Sequence, residues 1–152
     1  MAVDVGQQAP DFELKDQHGQ AVRLSDFTGE RHVALVFYPF AFSGICTGEL
    51  CEIRDNLDVF VDGDVQVIGI SCDPMYTLRA FAEVEGYEFP LVADFWPHGA
   101  VATAYGVFDE TAGRADRGTF LVDKDGVVRW SVVNKPGEAR PLAAYREAIA
   151  AL

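Results

Sequence analysis

The 152-residue chain predicts a three-layer α/β domain with a mixed central sheet, and three observations carry that prediction. Two nearly unbroken apolar runs, His32–Tyr38 and Val65–Ser71, have the β-branched and aromatic composition of strands buried on both faces. A stretch with helical apolar spacing follows each run. Two later apolar segments flank Asp123 to Gly126, whose closing Asp-Gly pair signals a hairpin of antiparallel strands.

Taken in order, Phe12–Leu14 and Ala21–Leu24 flank DQHGQ, a Gly-containing connection suited to a hairpin, and Asp26 or Thr28 then begins a turn through Gly29. The strand His32–Tyr38 ends at Pro39, which has no N–H to donate to a ladder. From about Gly44 to Val61 the apolar positions Leu50, Ile53, Leu57, Phe60 and Val61 recur three and four apart, the stripe of one long helix, with Cys46 at its head. Val65–Ser71 ends at Asp73-Pro74, and a second helix runs through Leu78 and Phe81 to Val84. Phe89–Val92 is a short strand and Ala100–Tyr105 a short helix. Gly118–Asp123 and Val127–Val133 are the hairpin strands, and Pro141 in a first helical turn opens an Ala-rich helix to Leu152. This order resembles thioredoxin: α/β/α layers on a mixed sheet, with an N-terminal hairpin added.

Composition sets the boundaries of function. With 49% hydrophobic and 24% charged residues and no low-complexity run, residues 1–152 are expected to fold as one domain that buries close to ~70% of its unfolded surface. The first residues lack an apolar signal core, and no segment approaches the ~18 apolar residues of a membrane span, so a soluble cytoplasmic protein is expected. A formal net charge of −12 without a basic cluster argues against nucleic acid and membranes as partners. Three cysteines in a reducing compartment do not make a disulfide framework, which leaves catalysis, redox chemistry or packing.

The informative stretch is YPFAFSGICTGELCE, Tyr38 to Glu52, where a buried strand meets Pro39, turns, and enters a helix at a cysteine. In a first helical turn, backbone N–H groups and the positive end of the dipole favour the nucleophilic thiolate of Cys46. Ser43 can cap the helix or hydrogen-bond a substrate oxygen, and Pro39 stiffens the pocket wall. The competing use is packing, since an unbonded Cys often behaves as a small buried hydrophobe.

Pro39, Ser43 and Cys46 spell P-x-x-x-S-x-x-C, which resembles the active-site motif of the peroxiredoxin family. APDFELKDQHGQAVRLSDFTG, VALVFYPFAF, VIGISCDP and RGTFLVDKDGVVR resemble family segments in the same order. DFWPHGAVATAYGVFDE and the GICTGEL helix start look most like the E-type, one-cysteine alkyl hydroperoxide reductases. The resemblance implies that Cys46 is the peroxidatic cysteine, that Pro39 and Ser43 line its pocket, and that Arg117 completes the site. Placed just before a buried strand, Arg117 can bring a permanent charge to the sheet end where the Cys46 helix begins. The implied enzyme is a thiol-dependent peroxidase acting on hydrogen peroxide, organic hydroperoxides or peroxynitrite through a Cys46 sulfenic acid, with no metal or organic cofactor required. A homodimer is also implied.

Cys51 is the internal candidate to resolve that sulfenic acid, and its C-x-x-x-x-C spacing resembles the Q-type, bacterioferritin-comigratory peroxiredoxins. On an ideal helix the two Cα atoms lie about 8.6 Å apart, beyond the roughly 7 Å a disulfide spans, so the first turn must unwind. The one-cysteine alternative uses thioredoxin, a mycoredoxin- or glutaredoxin-like protein, or a low-molecular-weight thiol. Two other classes compete: a thioredoxin-like disulfide reductase, disfavoured because Glu49 stands where C-x-x-C needs a second Cys, and a noncatalytic binding module. Cys72 reads as core packing and His98 as structural, with no ligand pair at metal spacing.

Overall fold

The computed structural model describes residues 3–134 and 140–152, with Cys46 described through its backbone. A hairpin comes first, β1 (Glu13–Lys15) and β2 (Ala21–Arg23), paired antiparallel with Leu14 opposite Val22, and a 3-10 turn follows at Leu24–Phe27. Then come β3 (His32–Phe37), α1 (Gly44–Asp55), α2 (Leu57–Asp62), β4 (Val65–Ser71), α3 (Met75–Glu85), β5 (Leu91–Ala93) and α4 (Ala100–Ala104). A small ladder of β6 (Phe108–Asp109) and β7 (Arg114–Ala115) precedes β8 (Arg117–Val122), β9 (Val128–Asn134) and α5 (Leu142–Ala150).

The central sheet has the order β5-β4-β3-β8-β9, with β3, β4 and β5 parallel and β8 and β9 antiparallel to their neighbours. This is the mixed sheet expected. Strand alternation assigns the two faces: Ala34 and Val36 join Val65, Val67 and Leu121 under α1, α2, α3 and α5. Val33, Leu35 and Phe37 join Ile68, Ile70 and Phe120 beneath the N-terminal hairpin segment and α4. Each such Leu, Ile or Phe contributes about 1.5–3 kcal/mol by leaving water. Both faces of β3 are covered, which is why its sequence shows no polar alternation.

The structure corrects several boundaries. The helix expected over 44–61 breaks at Asn56 (φ −125°, ψ 30°), whose side chain donates to the Glu52 carbonyl oxygen (2.9 Å). The break turns α2, so Phe60 is buried while Val61 is 57% exposed and leaves the stripe. The strand expected at Phe89–Val92 starts two residues later, because the Phe89 carbonyl accepts from Gln17 Nε2 (3.1 Å) and Leu91 N–H donates to Gln17 Oε1 (2.8 Å). Pro141 is the N-cap of α5 instead of lying in its first turn. The β6–β7 ladder was not expected, being too short for periodicity to reveal. The hairpin after β8 forms as the Asp-Gly pair predicts: Gly126 takes φ +79°, and an added Cβ there would lie 2.4 Å from Gln8 Nε2.

Candidate active site

Strand β3 delivers the chain to the site. Beyond it Pro39 is buried, and the Ala41 N–H donates to Asp73 Oδ2 (2.8 Å), a carboxylate that also accepts from Ser71 Oγ (2.7 Å) at the end of β4. Asp73 therefore ties the loop after β3 to its parallel neighbour. Phe42 is held at φ +67°, a left-handed conformation that costs a non-glycine residue on the order of 1–3 kcal/mol, with its ring centroid 4.9 Å from that of Phe81. Non-glycine strain beside a helix mouth is a mark of a functional loop.

Ser43 is the N-cap of α1, as its place in the sequence suggests, but its hydroxyl donates to the Phe40 carbonyl oxygen (3.0 Å) and caps no helix N–H. Cys46 is the third residue of α1, within the first turn, where backbone N–H groups have no i−4 acceptor in the helix and the dipole is positive. The side chain of Cys46 lies outside the described residues, and with it the expected surroundings of the thiol.

One turn on, α1 buries Glu49. Arg117 Nη1 donates to Glu49 Oε1 in a buried ion pair. The register explains how: Val36 pairs with Thr119, so Arg117, two residues earlier in β8, reaches the end of β3 from which α1 departs. The structure thus brings the expected Arg117 against the helix of Cys46. A residue absent from the sequence reading completes the cluster. Arg140 donates to Glu49 Oε2 through its backbone N–H (2.6 Å) and Nε (2.9 Å), and to Oε1 through Nη2 (3.1 Å). Its Nη1 reaches the carbonyls of Phe37 (2.8 Å) and Gly118 (3.0 Å) and Thr119 Oγ1 (3.0 Å). Burial by itself would raise the Glu49 carboxyl, but Arg140 and then Arg117 overcome it and hold the group below its ordinary 4.5. An acid on the inward side of an apolar helix, at i+3 from Cys46, was the signal available in the sequence. Arg140 offered none.

Cys51 is half-buried further along α1, with its sulfur 3.3 Å from Glu85 Oε2 and 3.3 Å from the Tyr87 hydroxyl. Burial, and then the Glu85 hydrogen bond, push its thiol above the ordinary value. Cys46 and Cys51 share one helix, so the separation of about 8.6 Å expected from helical geometry stands, and this folded arrangement is not disulfide-ready. Cys72 is buried among core side chains, and burial pushes its thiol up to about 12, in keeping with the packing role expected. His98 faces two backbone carbonyls, Phe95 (3.1 Å) and Gly113 (2.7 Å), a structural placement.

Comparison with known proteins places this geometry. The AhpC/TSA family profile matches residues 5–131. "Alkyl hydroperoxide reductase E" of Mycobacterium tuberculosis is 49% identical over 150 residues, 99% of this chain and 98% of that one. "Peroxiredoxin Bcp" of Bacillus subtilis is 36% identical over 132 residues, 83% of this chain and 82% of that one. Among solved structures, Enterococcus faecalis AhpC superposes with a TM-score of 0.89 at 28% identity, covering 99% of this chain and 92% of that one.

Proposed function

Because the chain belongs to the AhpC/TSA family and is a thiol-dependent peroxidase of the peroxiredoxin type, we propose that Cys46 is its peroxidatic residue, with Arg117, Ser43 and Pro39 forming the pocket. The observation that carries this assignment is the junction itself: a cysteine in the first turn of α1, directly after a buried strand, with the Arg117–Glu49 pair one turn away.

The Cys46 thiolate attacks one peroxide oxygen, the O–O bond breaks, and the other oxygen leaves as hydroxide or alkoxide and takes a proton, giving a sulfenic acid. Charge moves from sulfur to the leaving oxygen. Arg117 and the N–H groups of the first turn of α1 are fixed donors for that shift, the arrangement that makes oxyanion-type stabilisation effective. With its hydrogen given to Phe40, the Ser43 oxygen serves as an acceptor for a hydroperoxide O–H. Pro39 contributes a buried wall that limits water around the thiolate.

The proposed route back to the thiol is internal: Cys51 condenses with the sulfenic acid after α1 unwinds, and an external thiol or redoxin reduces the disulfide. Cys51 supports this by being the cysteine nearest Cys46 in sequence, on its helix and partly exposed, whereas Cys72 is buried. Dependence on such thiols suits the cytoplasm as the place of action. A homodimer is part of the same proposal. Apolar side chains stand exposed where α1 begins (Phe40, Phe42, Ile45), where α3 begins (Tyr76) and after β5 (Phe95, Trp96), and all follow the C-terminal ends of parallel strands.

The test is oxidation with one equivalent of hydrogen peroxide followed by mass spectrometry. The Cys51→Ser variant is expected to stop at a Cys46 sulfenic acid, the unsubstituted protein to give a Cys46–Cys51 disulfide, and Cys46→Ser to lose peroxide turnover altogether. Turnover surviving in Cys46→Ser would refute the assignment. A sulfenic acid without a disulfide would assign resolution to an outside thiol.

A further inference from the structure

Internal resolution needs α1 to open between Thr47 and Cys51, and one buried hydroxyl touches both. Tyr87, two residues beyond α3, has its ring fixed between Phe81 and Phe89, at centroid distances of 5.1 and 5.4 Å. Its hydroxyl donates to the Thr47 carbonyl oxygen (3.2 Å) and lies 3.3 Å from Cys51 Sγ, while the Cys51 thiol donates to Glu85 Oε2 (3.3 Å). In an α-helix the Thr47 carbonyl is also the acceptor for the Cys51 N–H. The phenol therefore braces the backbone link that separates the two cysteines. Burial holds the Tyr87 phenol far above its ordinary value, so it remains a donor throughout the working pH range.

Resting on the assignment of Cys46 and Cys51 given above, we propose that Tyr87 is a positioning residue that latches the first turns of α1, so that release of its hydroxyl from Thr47 and Cys51 sets how fast the sulfenic acid is resolved. In the step it controls, the Cys51 thiol loses its proton and its sulfur attacks the Cys46 sulfenic sulfur. The S–S bond forms as the S–OH bond breaks, and the departing hydroxide combines with a proton, so one water leaves per disulfide. Hydroperoxide has already supplied the oxidising equivalents. A closed latch leaves the sulfenic acid exposed longer to a second peroxide, which carries it to sulfinic acid. Tyr87 thereby sets the partition between recycling and overoxidation.

Rapid-quench mass spectrometry on the full chain tests this with Tyr87→Phe, which retains the ring and removes the hydroxyl. Losing one hydrogen bond of ordinary strength is expected to speed Cys46–Cys51 disulfide formation roughly two- to tenfold. Sulfinic acid at excess peroxide should fall in proportion, while the second-order rate of Cys46 oxidation stays unchanged. Phe60→Leu, a destabilising change in α2 away from the latch, is expected to leave the partition at its original value. A wild-type disulfide rate in Tyr87→Phe, or an equal shift in Phe60→Leu, overturns the latch. A sulfenic acid persisting in both proteins overturns it while leaving the peroxidase reading intact, whereas an unoxidised Cys46 removes both.

Discussion

Glu49 is the residue on which the site's electrostatics turn, because one carboxylate answers two buried guanidinium groups. Replacing it with Gln removes the negative charge from two buried ion pairs, and the expected cost in urea denaturation at pH 7 is about 3–5 kcal/mol. The folded carboxyl is held below its ordinary 4.5, so its stabilisation is complete above that value and disappears as pH falls through the lowered folded one. Acid titration of stability below pH 4.5 should accordingly be shallower in Glu49→Gln than in the parent protein. Cys46, Pro39 and Ser43 could be proposed from one motif, and Arg117 from the RGTFLVD segment that resembles the same family. Arg140 could not be, since its partner Glu49 lies 91 residues away and no local pattern says that a basic residue before a helix points inward.

Among the elements, α1 presents a cysteine and, in the proposed internal resolution, must also yield. Gly48 lies within it and an added Cβ would meet nothing within 4 Å, so the glycine fills no steric need. Gly48→Ala should then stabilise the helix by about 0.8–1 kcal/mol, which for a protein of this size is a rise in Tm of about 2–4 °C. The same change should slow Cys46–Cys51 disulfide formation by about fivefold, because the alanine favours the wound form that must open. Calorimetry and quenched oxidation check the two effects separately. Apolar spacing announced the start of α1, whereas its end at Asn56 depended on a side chain turning back to the Glu52 carbonyl, an outcome that spacing cannot encode.

Across the whole molecule, the parallel arrangement of β3, β4 and β5 gathers the loops that follow them at one sheet end. Tyr76, 71% exposed in the first turn of α3, follows one of those loops, Trp96, 80% exposed, stands on a second, and Phe40 and Phe42 stand on the third. The proposed dimer uses this end, so the double change Tyr76→Glu and Trp96→Glu is expected to give a monomer in sedimentation velocity where the parent protein is a dimer. A parent protein sedimenting as a monomer would count against the proposal.

By itself the sequence determined the layered α/β architecture, both core strands and the position of a cysteine at a helix mouth. These follow from runs, periods and turn pairs that act over neighbouring residues. Only the tertiary structure decided that Glu49 would be shared by Arg117 and Arg140, that Ser43 would spend its hydrogen on Phe40, and that Tyr87 would reach back to Thr47 and Cys51. Hydrogen bonds between elements are fixed by strand register and helix phase once the core has packed, and a linear chain does not display either.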